Sequence, residues 1–249
     1  MMRLALFVLL LAVTAAAQVA PPLQPADGLL AETLQRHGGS RILAVNTIRF
    51  RGTLQTGDKK DPVVVSASTD GSSRIDVGRD ADRDADRSTV TTPTGRYSIL
   101  NGKRQFRPSH SGVYAPLDIF SVVGIRNVYG NGGNRGVVGN REIKGQPTVL
   151  VRAGKDREQS FYGIVVKDEV DIEVDAATGL VAAIRRVQYA DGNLRKSFLT
   201  SYVFSDYRSV EGILLPFRIE ELQGKTVRGT YSVDAYDINP VLDRDLFER

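Results

Sequence analysis

Between Arg195 and Asn239 apolar and polar positions alternate in three runs, parted by Val210-Glu211-Gly212 and by Gln223-Gly224-Lys225. β-branched and aromatic residues interrupted by Gly-containing turns are the pattern of consecutive antiparallel strands. In the middle run Leu215, Phe217 and Ile219 share one face and Arg218 and Glu220 the other, so the predicted sheet has one dry side and one wet side. The same alternation recurs near the other end of the chain. From Asn46 to Gln55, Ile48, Phe50 and Leu54 face one way and Arg49, Arg51 and Gln55 the other, with Gly52 the weak position.

Between these segments the pattern predicts strands at Val63–Thr69, Ser73–Gly78, Ser88–Thr92 and Tyr97–Leu100, each bounded by Asp, Gly, Asn or Pro. Farther on come Asn140–Lys144, Pro147–Arg152, Phe161–Val166, Val170–Asp175, Leu180–Tyr189 and Leu194–Phe204, the last two joined by the hairpin signal Asp191-Gly192-Asn193. Two helices are expected. One runs from a capping Asp27 to His37 and stops at Gly38-Gly39, with Leu30 and Leu34 on a narrow apolar face beside Ala26 and His37; Ser40 caps a further short turn through Val45. The other, Tyr114–Val123, is apolar on nearly every side and is expected to be buried. About a dozen strands without βαβ alternation point to a mainly β (α+β) chain: one large, curved antiparallel sheet forming an incomplete β-barrel, covered by an N-terminal helix and a short central helix.

The amino terminus adds an address. Arg3 precedes an apolar run from Leu4 to Val13 and a small-residue site at Ala15 and Ala17, the layout of a secretory signal peptide of residues 1–17, with cleavage after Ala17 or, as second choice, Ala20. Residues 18–26 then read as a Pro-rich linker and 27–249 as a single domain, expected to be exported to the periplasm. The chain has no cysteine, which excludes disulfides, thiol nucleophiles, thiolate zinc sites and lipidation of the mature amino terminus. Lys and Arg number 33 against 29 Asp and Glu, too small and dispersed a surplus for nucleic acid. Contact with a membrane is expected to be peripheral, since no later segment is long and apolar enough to span one.

Chemistry-bearing motifs are few. The ADRD repeat over residues 79–87 alternates aspartates as a calcium loop does, but lacks its central glycine and closing glutamate and interleaves arginines; a charge-balanced hairpin tip is the expectation. In the Gly- and Asn-rich stretch Gly124–Gly145, the motif Gly130–Gly136 lacks both the Lys-Ser/Thr of a P-loop and dinucleotide glycine spacing and reads as a mobile loop. His37 is expected as a charge at a helix C-terminus and His110 as a loop residue, neither patterned with a catalytic partner. Asp171, Glu173 and Asp175 alternate with Val170, Ile172 and Val174 as the wet face of a strand. No catalytic residues, metal ligands or cofactors are expected.

The Gly38-Gly39 helix stop with the Ile48-Arg49-Phe50-Arg51-Gly52 strand, the turn Asp175-Ala176-Ala177-Thr178-Gly179-Leu180 and the segment Asp206–Phe217 together resemble periplasmic proteins of the LolA/LolB-like lipoprotein-carrier superfamily. The resemblance covers nearly the whole expected domain, and the ADRD insertion and Gly/Asn-rich loop depart from it. It implies an incomplete barrel, closed by helices, holding lipid acyl chains in an apolar concavity, with residues 114–123, Leu117 and Phe120 among them, in the lid. The dry face of Ile48, Phe50, Leu54, Phe198, Phe204, Leu215 and Phe217 is then the expected ligand surface, the ligand a lipid or lipoprotein acyl chains. The alternative is a non-catalytic envelope-assembly or protein-interaction module with a self-filled barrel, its partner an envelope protein bound at a strand edge.

Overall fold

A computed structural model describes residues 26–248 apart from 80, 83, 84, 93, 94, 101, 108–115, 131–133, 162, 163, 191 and 192. The expected signal peptide, most of the linker and His110 lie outside the described residues. Thirteen antiparallel strands make one sheet: β1 Thr47–Thr56, β2 Lys59–Ser68, β3 Ser73–Val77, β4 Arg87–Thr92, β5 Gly95–Leu100, β6 Lys103–Arg107, β7 Asn134–Ile143, β8 Gln146–Phe161, β9 Ile164–Asp175, β10 Val181–Ala190, β11 Asn193–Val210, β12 Ile213–Gln223 and β13 Thr226–Ile238. Every neighbour in the sheet is a neighbour in sequence except where β1 meets β13, and β6 and β7 form the two edges. The sheet is therefore an open, curled meander, as the alternation predicts.

The three runs at the end of the chain are β11, β12 and β13, with their turns where the Gly-containing breaks stand. Several boundaries differ from the sequence reading. Ile164–Val166 of the predicted strand Phe161–Val166 joins the predicted Val170–Asp175 in one strand, β9, while Phe161 ends β8; β11 runs on to Val210 in unchanged register with β12 on both sides of Asp206, whose backbone is left-handed. Gly52 stands where the β1–β13 register shifts; a Cβ there would lie 2.1 Å from the Ser232 carbonyl oxygen.

Helix α1, Asp27–His37, buries Leu30, Thr33, Leu34 and His37, but its cap is Ala26 and makes no side-chain hydrogen bond; Asp27 lies in the first turn, 3.3 Å from Arg135. Ser40 likewise opens α2, Ser40–Leu43, and does not cap it. The expected helix at 114–123 is instead a 3₁₀ turn, Pro116–Ile119, followed by α3, Ser121–Gly130, so helix and β7 occupy much of the Gly- and Asn-rich stretch and reach into both ends of the segment read as a loop. Gly124 shows why glycine misled: a Cβ there would lie 2.5 Å from Cδ1 of Ile184 on β10, so the residue serves close helix–sheet packing, not disorder.

The outer face is less wet than alternation suggests. The β7–β8 turn folds across it, placing Ile143 against Ala182, Ala183 and Val203, and Lys144 Nζ 2.6 Å from Glu220. Glu173, expected on a solvated face, is fully buried, accepts from Thr148 Oγ1 at 2.9 Å and pairs with Arg185 at 2.7 Å. Neither the turn against Glu220 nor the burial of Glu173 beside Thr148 and Arg185 is revealed by a strand pattern alone. The ADRD segment joins β3 to β4 as a hairpin connection, and Asp82 bonds Arg51, which also binds Asp237.

Candidate functional site

Pairing puts the dry positions of adjacent strands opposite one another. Phe50 faces Val65 and Tyr236, Leu54 faces Tyr231, Tyr231 faces Ile219, Ile219 faces Phe204, and Glu221 faces Tyr202. These residues line the concave side. Of the expected ligand surface, Ile48, Phe50, Leu54, Phe120, Phe204, Leu215 and Phe217 meet in a single buried cluster. Phe198 shares the inward parity of Tyr202 and Phe204 but is half-buried and outside that cluster. Leu117 lies in the 3₁₀ turn, its side chain outside the described residues.

The cluster has two regions. Under the helices it is dry and filled. Phe50, with no exposed surface, makes edge-on contacts with Phe120 at 5.5 Å, Tyr236 at 5.7 Å and Tyr231 at 6.0 Å between ring centroids, and Phe217 meets Tyr236 at 5.5 Å. The Tyr236 hydroxyl donates to the Pro216 carbonyl at 2.6 Å. The cover is tied down by polar groups at its margins: Asp118 takes a two-point contact from Arg186 at 2.7 and 3.1 Å, with little of either side chain exposed, and Arg126 donates to the Val45 carbonyl.

His37 corrects the sequence reading most sharply. It is wholly buried, with Nδ1 2.9 Å from the Leu214 carbonyl and Nε2 3.0 Å from the Val181 amide. A carbonyl can only accept and an amide only donate, so the ring is neutral, protonated on Nδ1. Burial holds its pKa below the ordinary value, partly opposed by the Leu214 bond. It bolts α1 to β10 and β12 and stacks edge-on against Tyr207 at 5.3 Å.

At the far end the concave face opens into a cavity of about 350 Å³. Residues from β5 and β10 share it although seven strands separate them in the sheet, which shows how far the meander curls round. Leu54, Ile75, Val77 and the rings of Tyr202 and Tyr231 form its apolar wall; Arg87, Arg96, Arg228 and Glu221 supply charge. The Tyr231 hydroxyl lies 3.1 Å from Glu221 Oε2 and donates to it. Burial nevertheless pushes the Glu221 pKa up, against the pull of Tyr231, Arg96 and Arg228. Burial also drives the Tyr202 and Tyr231 hydroxyls well above their ordinary range, so both stay protonated donors at neutral pH.

Sequence reasoning missed this mouth, apart from Leu54. Its signal is a charged residue at an inward position: Glu221 follows Leu215, Phe217 and Ile219 at a spacing of two. A second cavity, of about 740 Å³, lies on the outer face where the C-terminal 3₁₀ turn Arg244–Phe247 covers β3 and β4; its lining mixes Leu242 and Phe247 with Asp70, Arg104 and Asp243. Among the described residues no helix is long and apolar enough to cross a membrane.

Solved structures share this architecture at low sequence identity. A domain from Vibrio parahaemolyticus described as an outer membrane lipoprotein-sorting protein superposes with a TM-score of 0.54 at 11% identity, across 89% of this chain and 96% of that one. A DUF1329 family protein from Desulfovibrio piger gives 0.54 at 11% identity over 90% and 97% of the two chains. For a LolA superfamily protein from Nitrosomonas europaea the values are 0.52, 10%, 88% and 96%. No family model matches the sequence, and no curated protein does. Agreement over nearly the whole of both chains at such identities speaks for architecture, and the chain has a LolA-like fold.

Proposed function

We propose that the protein is a non-catalytic carrier that holds a hydrophobic ligand, a lipid or the acyl chains of a lipoprotein, in the periplasm. The observation that carries this reading is the continuity of the concave face: an apolar wall runs from the open mouth at Leu54 into the aromatic cluster around Phe50. Each methylene moved from water onto that wall contributes about 0.8 kcal/mol, so a single chain gains useful affinity without specific polar contacts. The ligand touches Leu54 first, at the mouth. Ile48, Phe50, Phe204, Leu215 and Phe217 become available when Leu117 and Phe120 lift with their segment, and Phe198 flanks the entrance. The lipoprotein-sorting description of the Vibrio domain agrees with this reading. Extraction and mass analysis of the natively purified protein tests it: bound lipid at near one-to-one ratio is expected, and ligand-free protein that also refuses added lipids would overturn it. Location is checked by amino-terminal sequencing and cell fractionation, with a start at Gln18 in the periplasmic fraction expected.

One observation favours a second reading. Phe50 and Phe120 are already almost completely buried, as they would be in a barrel filled by its own side chains that binds an envelope protein at the free edge of β6 or β7. Phe217→Gln separates the two: lost uptake of a fluorescent fatty acid at unchanged stability supports the carrier, whereas loss of stability before any binding defect supports the filled module.

A further inference from the structure

The mouth is not the neutral opening that a purely apolar cargo requires. Arg87, Arg96 and Arg228 come from three different strands and, with Glu221 as the single acid among the described lining residues, give those residues two positive charges in excess around a cavity whose wall is Leu54, Ile75, Val77, Tyr202 and Tyr231. Arg228 is held by Gln223 at 2.9 Å through Nε. Neither Arg87 nor Arg96 forms a hydrogen bond or ion pair with a described residue. Charge on the inward parity of a strand costs desolvation, and among the described residues no hydrogen bond or ion pair repays it at Arg87 or Arg96. Glu221 offsets only part of it, since its oxygen is already engaged by Tyr231. The three guanidiniums differ in exposure: Arg87 and Arg228 are exposed and Arg96 half-buried, so they step from solvent down to the apolar wall.

We propose that the mouth cavity binds a single-chain anionic amphiphile, with its carboxylate or phosphate head on Arg87, Arg96 and Arg228 and its chain against Leu54, Ile75, Val77, Tyr202 and Tyr231. The proposal rests on the carrier reading and adds the class of ligand. Guanidinium groups match both head groups in shape and charge. The volume sets the chain number: at roughly 30 Å³ per group of water size, the cavity takes about a dozen such groups, one chain and not a bundle of several. Keeping the head at the rim leaves it partly hydrated, so only the chain is fully desolvated.

Calorimetric titration with four twelve-carbon probes tests the idea: dodecanoate, dodecyl phosphate, dodecanol and dodecyltrimethylammonium, all below their aggregation concentrations. Dodecanoate, dodecyl phosphate or both are expected to bind about tenfold or more tightly than dodecanol, with the cation weakest, and the preference to shrink in high salt. Comparing the two anions tells carboxylate from phosphate. In Arg87→Gln/Arg96→Gln the anion preference is expected to vanish while dodecanol affinity stays within about twofold. Arg228→Gln, in an exposed position near the β12–β13 turn, is the second variant should the double one fold poorly, and is expected to reduce the preference part-way. Equal affinity for dodecanol and both anions, or an undiminished preference in the variants, overturns the proposal and leaves the carrier reading standing. Failure of all four probes overturns it too, and native mass analysis then separates the cases: co-purified lipid keeps the carrier reading, its absence removes both.

Discussion

The two ends of the concave face are built by the same strands at the same parity, yet they are physically opposite. Along β12, Leu215, Phe217 and Ile219 lie in the dry cluster, and two residues farther Glu221 stands in the charged mouth. Along β1, Phe50 is sealed between Phe120, Tyr231 and Tyr236, and Leu54 borders the cavity. What changes is the cover. Helices α1 and α3 lie over one end, where polar groups are bolted in place: His37 to Leu214 and Val181, Asp118 to Arg186. Over the other end the described lining comes from strands alone, and there Arg87 and Arg96 have no hydrogen bond or ion pair with a described residue. The same side-chain alternation thus yields a structural core where a helix packs and a candidate binding mouth where none does.

Four measurements break or sharpen that contrast. Phe50→Ala is expected to cost about 3–5 kcal/mol in denaturant melts, since a closed aromatic cluster leaves a cavity on truncation, whereas Leu54→Ala at the mouth costs less because one side already faces open space. Equal losses at both would erase the distinction. Next comes His37→Leu, which strands the Leu214 carbonyl and the Val181 amide in a dry environment; about 2–3 kcal/mol is expected, read from the shift of the urea midpoint at constant slope.

The pH dependence follows from the same residue. Burial lowers the folded-state pKa of His37 while the unfolded chain titrates near 6.5, so below that pH the unfolded state binds more protons. This contribution to stability is intact above about pH 6.5 and falls as the medium is acidified, by at most about 1.4 kcal/mol per pH unit, until the folded-state pKa is passed. Comparison of wild type with His37→Leu at pH 7.5 and 5.5 isolates it; a parallel acid response in both would remove His37 as the cause. Glu221 has the opposite sign. Its folded pKa is raised, so its ionisation opposes folding as the pH rises above the ordinary carboxylate value, and Glu221→Gln is expected to raise the thermal midpoint slightly at pH 7 and to leave it unchanged at pH 4. A fall at pH 7 would show that Glu221 stabilises the mouth by holding Arg96 and Arg228.

Much of the architecture is legible in local pattern. Alternation at spacing two marks the inward faces of β1 and β12, Gly-containing breaks set the turns of the last three strands, and Leu30 with Leu34 identifies the buried stripe of α1. These succeed because pleat and helix period are properties of the backbone, and each requires only that apolar side chains recur on one side. The Gly-rich stretch after Val123 failed on the same ground: glycine lowers helix and strand propensity locally, and only the close approach of Ile184 explains Gly124 inside a helix.

By itself, then, the sequence determined a curled antiparallel sheet with a dry concave face and a helix to cover it, because burial of a periodic apolar face is decided residue by residue along each strand. Tertiary structure alone decided which stretch of that face is sealed and which is open. It brought Arg96 of β5 and Gln188 of β10 to one cavity, buried Glu173 beside Thr148 and Arg185, and converted His37 from an expected charge into a neutral bridge. Those outcomes depend on the curvature of thirteen strands and on where a few short helices land, long-range quantities that no local period encodes.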